Sequence, residues 1–176
     1  MTNRFRVVTC VVLGLCLCFG YAAFTQTQSP ASTGTKKEPT VNGHASGSFE
    51  IKMAPQPITE EEKKTISVRM TSDKQFHGDL EGTSTGEMLG AFTAVKDSAG
   101  YVAMERVSGK LKGRTGTFIL QHSSTMARGT QQQSITVVPD SGTDQLAGLA
   151  GSMIIKITDG KHFYEFDYTL PDKDSK

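Results

Sequence analysis

From Gly43 onward apolar side chains alternate with polar ones, and glycine or Asp-Gly steps break the alternation roughly every 8 to 15 residues. A period of two puts successive side chains on opposite faces of an extended chain, so the pattern dictates strands with one wet and one dry face. Phe49, Ile51 and Met53 alternate with Glu50 and Lys52, and Ile66, Val68 and Met70 alternate with Ser67 and Arg69. Between them Ile58 to Lys64, with its charged run Glu60 to Lys64, reads as a solvated loop or a short turn of helix. Nothing has the length of a substantial helix. The one exception is Pro139 to Gly151, where Thr143 is placed to cap a short turn that packs Leu146 and Leu149. Seven or eight strands joined antiparallel close into a barrel or stack as a sandwich.

Two hairpins are registered by their turns. Asp159-Gly160 is a two-residue turn signal that pairs Thr158 with Lys161, Ile157 with His162, Ile155 with Tyr164 and Met153 with Phe166. The last six share one face, and Lys156, Glu165 and Asp167 take the other. With Lys112-Gly113 as a second turn, Leu111 pairs with Arg114, Val107 with Phe118, Glu105 with Leu120 and Ala103 with His122. Glu105 and His122 then become diagonal neighbours on the face that carries Tyr101, Val107, Phe118 and Leu120. A carboxylate and an imidazole on an apolar face are costly unless paired. They are expected either to bond structurally or to have perturbed pKa values suited to proton transfer.

The chain opens with Arg4 and Arg6 followed by an apolar run from Val7 to Phe19, the pattern of a secretory signal, with cleavage expected between Ala23 and Thr25. Uncleaved, Val7 to Phe24 would be a membrane anchor at the lower limit of ~18 residues. Residues 26–42 are polar with two prolines and read as a flexible spacer, residues 43–170 as the folded domain and residues 171–176 as a polar tail. The formal charge is +1, and falls to about −1 without the first 25 residues, so no basic surface for nucleic acid is expected. Cys10, Cys16 and Cys18 all lie in the opening segment, which leaves the exported chain no thiol for a disulfide, a metal thiolate or a nucleophile.

His44, His77, His122 and His162 show no metal-ligand spacing, so neither metal nor cofactor is expected. His77, Asp79 and Glu81 alternate on one strand face, but Phe76 and Leu80 compete for the interior and Thr71 to Lys74 reads as a loop that fixes no register, so the three read as a solvated polar face; His162 reads as a satisfied residue at the barrel mouth. Ser84, Ser123, Ser124 and Ser141 lack the Gly-x-Ser-x-Gly elbow of a hydrolase. Gly78, Gly82, Gly86 and Gly90 recur every four residues and read as bulges or tight curvature.

The segments Asp73-Lys-Gln-Phe-His-Gly-Asp-Leu-Glu-Gly-Thr-Ser-Thr-Gly-Glu-Met-Leu89, Ala99-Gly-Tyr-Val-Ala-Met-Glu-Arg-Val-Ser-Gly109, Thr117-Phe-Ile-Leu-Gln-His-Ser-Ser-Thr-Met126, Val137-Val-Pro-Asp-Ser-Gly-Thr143 and Gly160-Lys-His-Phe-Tyr-Glu-Phe-Asp-Tyr-Thr-Leu170 closely resemble the bacterial domain-of-unknown-function family 3224. The resemblance implies an all-β fold, a small antiparallel β-barrel of about eight strands similar to allene oxide cyclase and related to dirigent proteins. It brings no established activity, and kinship of fold with a cyclase does not transfer catalytic residues. The export signal and spacer depart from the family, many of whose members look cytosolic.

Three expectations follow. In the first, the barrel binds a small hydrophobic molecule in a lumen lined by Tyr101, Phe118, Leu120, Ile155, Tyr164 and Phe166, oriented by Glu105, His122 and Tyr164. In the second, it is a cofactor-free cyclase or isomerase with Glu105 or His122 as catalytic proton carrier. The third is a packed structural barrel that serves as subunit of a homo-oligomer. A raised Glu105 pKa beside an open lumen favours the enzyme, and a filled lumen removes both ligand readings.

Overall fold

The computed structural model describes residues 40–172. The expected signal, most of the expected spacer and residues 173–176 of the tail lie outside the described residues. Eight strands run in order: β1 (Thr40–Gln56), β2 (Val68–Gly78), β3 (Leu80–Phe92), β4 (Ala99–Leu111), β5 (Arg114–Ala127), β6 (Thr130–Val137), β7 (Ala150–Thr158) and β8 (Lys161–Pro171). Each pairs antiparallel with the next, and β8 returns to β1 to close the barrel. Closure leaves no sheet edge to cap, which settles the choice between barrel and sandwich. β1 starts three residues early, because β8 runs on to Pro171 and offers Thr40, Val41 and Asn42 a pairing edge.

Both expected hairpin registers are present pair for pair. Their turns need left-handed backbone, and Lys112, Gly113, Asp159 and Gly160 all have positive φ. The charged run between β1 and β2 forms a single 3-10 turn, Glu62–Lys64, opened by a reciprocal pair: the Thr59 amide and hydroxyl donate to the Glu62 carboxylate, and the Glu62 amide donates to the Thr59 hydroxyl. The second expected turn is the 3-10 segment Asp144–Leu146, with Leu146 and Leu149 buried. Thr143 does not cap it. Its hydroxyl instead accepts the Thr117 amide of β5 at 3.0 Å, since the loop before β7 lies along β5. A side chain at Gly116 would come within 2.3 Å of the Thr143 carbonyl, so only glycine lets this loop approach.

Inward residues at one end of the barrel make a dense core. Phe76, Leu80, Phe118, Leu120, Tyr164 and Phe166 are all fully buried. Phe118 stacks on Phe166 at 5.9 Å, and Phe76 meets Tyr164 edge-on at 5.7 Å. The barrel wall is weakest between β6 and β7, which share only the pairs Ile135 with Met153 and Thr136 with Ser152, against eight or more at every other junction. Beyond those pairs the strands part, and the Gln133 side chain bridges them by accepting the Ile155 amide at 3.1 Å.

Candidate functional site

Along β2 the inward positions counted back from Phe76 are Lys74, Ser72, Met70 and Val68. The segment Thr71 to Lys74, expected as a loop, is therefore strand, and Lys74 is turned into the barrel with only 7 % of its surface exposed. Across β3 the matching inward residues are Gly82, Ser84 and Gly86, with Lys74 opposite Ser84 and Gly86 opposite Glu105 of β4. Because β3 presents almost no side-chain bulk there, the lysine reaches over it to the carboxylate two strands away. The four-residue glycine spacing thus provides interior space as well as the close strand approach seen at Gly82, where a side chain would meet the Ser108 carbonyl at 2.3 Å.

Lys74 Nζ donates to Glu105 Oε2 at 2.7 Å, and the Ser84 hydroxyl donates to Glu105 Oε1. His122 of β5 brings Nε2 to 2.8 Å from the same Oε2. That contact is close but the ring nitrogen is not aligned as a donor, so it is an electrostatic contact and His122 Nε2 lacks a hydrogen-bond partner. The lysine ammonium also lies over the Phe49 ring at 4.8 Å. Burial by itself would push the Glu105 carboxyl up; His122, Lys74 and Ser84 outweigh it and hold the group at about 2. Glu105 is thus an ionised, immobile acceptor at neutral pH. The predicted pairing of Glu105 with His122 is present, and Lys74 and Ser84 complete a cluster the sequence reading did not assemble.

The cluster forms the inner end of a cavity of about 270 Å³ in the other half of the lumen. Tyr101 and Ile155 line it as expected, together with Phe49, Ile51, Met88 and Ile157. Gln131, Gln133 and His162 also face it, and His162 is held against the Phe49 ring at 5.1 Å. Four expected lining residues are elsewhere. Phe118, Leu120, Tyr164 and Phe166 belong to the packed half and have no exposed surface, because aromatic and leucine side chains from facing strands fill that cross-section. The Tyr164 hydroxyl is also occupied, accepting the Leu80 amide at 2.8 Å and donating to the His77 carbonyl at 3.3 Å. Tyr164 therefore holds the β2–β3 corner, away from the cavity where it was expected.

A wider groove of about 880 Å³ runs along the outer wall past Ile66, Leu89, Val102 and Met104 and also touches His122; its other charged groups are matched in solvent, Arg69 with Glu87 at 2.7 Å, Glu61 with Lys64, and Glu62 with the Thr59 hydroxyl. The unmatched chemistry is inside. On the outer surface His77 pairs with Glu50 at 2.8 Å and Asp79 with Lys112 at 2.8 Å, both of them exposed pairs. His44 is bridged through Nδ1 to Asp167 at 2.7 Å and through Nε2 to Glu165 at 2.9 Å. Both ring nitrogens are taken from opposite sides, so the three groups do not converge on a point. No cluster of metal-ligating side chains occurs among the described residues, and no helix among them is long and apolar enough to cross a membrane.

Comparison with known proteins agrees with this architecture. The model of a family described as "Protein of unknown function (DUF3224)" matches residues 45–168. A crystal structure at 1.84 Å of a protein of unknown function from the same family, from Shewanella oneidensis MR-1, is 45% identical, with a TM-score of 0.70 over 75% of this chain and 99% of that one. No curated protein matches the chain. The matched span contains β2 to β7, most of β1 and β8 and every member of the buried cluster, and on that ground the chain belongs to the DUF3224 family.

Proposed function

We propose that the protein is an exported binding barrel that holds one small, largely apolar molecule in the open half of its lumen, with the molecule's polar end at the Lys74–Glu105–His122 cluster. The observation that carries this reading is the cavity of about 270 Å³, walled by apolar side chains and ending on buried charged groups. That volume is just under the ~300 Å³ at which drug-sized sites begin, so the occupant is small. A wholly packed structural barrel has no reason to stop packing at Leu120 and bury an ion pair beyond it, since such pairs are a weak source of stability. The export half of the reading rests on the basic and apolar opening of the chain.

An isomerase acting on the same ligand is the second reading, and His122 is the observation that favours it. Glu105, held at about 2, is too weak a base for proton transfer at neutral pH. His122 is the group in the cluster with a buried ring nitrogen that no hydrogen bond satisfies.

The test is native mass spectrometry of the protein recovered from cytosolic, envelope and medium fractions of cells that produce it naturally, followed by extraction of what co-purifies. A stoichiometric small molecule on a processed chain outside the cytosol is the expected result. A clean apo mass overturns the binding reading, and an unprocessed cytosolic chain overturns export. The same spectrum gives the subunit count and so tests the expected homo-oligomer.

A further inference from the structure

We propose that the ligand is a neutral molecule whose polar group is a carbonyl oxygen, received by the Lys74 ammonium at the base of the lumen. This deepens the binding reading above and rests on it.

An inventory of donors and acceptors leads there. A lysine ammonium has three N–H donors and no acceptor. One N–H of Lys74 goes to Glu105; the ammonium otherwise lies over the Phe49 and Phe76 rings, at 4.8 and 5.8 Å, and meets no second oxygen or nitrogen acceptor among the described residues. On the acceptor side, one Glu105 oxygen takes the Ser84 hydroxyl and the other takes Lys74 and faces His122, so neither carboxylate oxygen is bare. The Lys74 ammonium has donor capacity to spare and accepts nothing, so the atom that complements it is an acceptor. An alcohol brings a further donor, which an ammonium cannot accept.

Charge narrows the class again. Lys74 and Glu105 cancel, so a neutral acceptor adds no net charge to a region of low dielectric constant. A ligand carboxylate would place a second anion beside Glu105, and an ammonium would face Lys74. The charged and titratable groups facing the cavity are Lys74, Glu105, His122, Tyr101 and, near the mouth, His162. Apolar walls at Ile51, Met88, Tyr101 and Ile155 suit a hydrocarbon body around the single oxygen.

Four probes of one skeleton test this on the full processed protein: cyclohexanone, cyclohexanol, methylcyclohexane and cyclohexanecarboxylate, with binding read by protein NMR and the ketone also followed through a 13C label at its carbonyl. We expect the ketone to bind about tenfold more tightly than the hydrocarbon, as one net hydrogen bond implies. Its carbonyl resonance should move downfield on binding. The charge-neutral double variant Lys74→Met with Glu105→Leu should erase both the preference and the resonance shift. Tighter binding of the carboxylate or the alcohol overturns the carbonyl assignment, and so does equal binding of ketone and hydrocarbon; any of these leaves the lumen standing as a binding site. A bound ketone whose resonance does not move overturns the assignment without recourse to the variant. Absence of binding by all four, with a clean apo mass, brings down the binding reading itself.

Discussion

The two halves of the lumen obey the same inward alternation and end up in opposite states. Toward the β2–β3 turn, Phe76, Phe118, Tyr164 and Phe166 meet across the barrel, and Leu146 and Leu149 are inserted from the loop before β7. Toward the other end the inward positions hold Ser72, Lys74, Gly86, Ala103, Glu105 and His122, and a cavity remains. A barrel of eight strands has room either for side chains or for one small guest. Residue size therefore decides between a core and a site along a single set of strands. The wall follows the same division, for β6 and β7 part beside the cavity and the bridge there is the Gln133 side chain.

The comparison breaks most visibly if the packed half is hollowed. Phe118→Ala removes a stacked ring with no exposed surface and should cost ~3–5 kcal/mol in urea unfolding. A loss below about 1 kcal/mol would mean that this half is no better packed than the other.

Next comes the ion pair. Glu105→Leu leaves Lys74 buried without its partner and should cost about 3 kcal/mol, whereas adding Lys74→Met should recover most of that loss. The double-mutant cycle would contradict the pairing if the two changes simply added.

The same group sets the acid limb. Glu105 is depressed in the folded chain from 4.5 to about 2, so its contribution is present above pH 4.5 and is lost as pH falls from there toward 2. The size is on the order of 3 kcal/mol. Urea midpoints measured down to pH 2 should show a decline that flattens in Glu105→Gln, and an unchanged decline would assign it to other carboxylates.

Filling the open half sharpens the contrast. Ala103→Leu points into the cavity and should change stability by less than about 1 kcal/mol while abolishing ligand binding. A large destabilisation would show that the space was already taken.

The smallest effect belongs to the exposed counterpart of the buried cluster, His44 between Asp167 and Glu165. Hydrogen bonds donated by the His44 ring to Asp167 and then to Glu165 raise the His44 pKa above 6.5, so any stabilisation is full below pH 6.5 and fades as pH rises through the higher folded value. Water screens this pair, and His44→Ala should leave the melting temperature unchanged in high salt. A clear drop there would show that burial is not what separates the two histidine–carboxylate groups.

The strands, both hairpin registers and the meeting of Glu105 with His122 were legible in the residues, because a two-residue turn propagates register outward with no other information. The same alternation, counted back from Phe76, passes through Lys74 and Ser72, but two polar residues at inward positions disguise a strand as a loop. Composition also could not tell which inward aromatics fill the barrel. Tyr101 and Tyr164 sit in equally regular patterns, yet one lines the cavity and the other spends its hydroxyl on the β2–β3 corner.

Local order is thus written in the chain as a period, a turn and a register, all of which are near-neighbour properties. The cluster is not local. Lys74, Ser84, Glu105 and His122 come from four strands and converge because closure of the sheet sets strand against strand and because β3 offers glycine and serine where bulk would have kept them apart. Whether an inward face becomes core or cavity depends on what stands across the barrel, and only the closed tertiary structure supplies that neighbour.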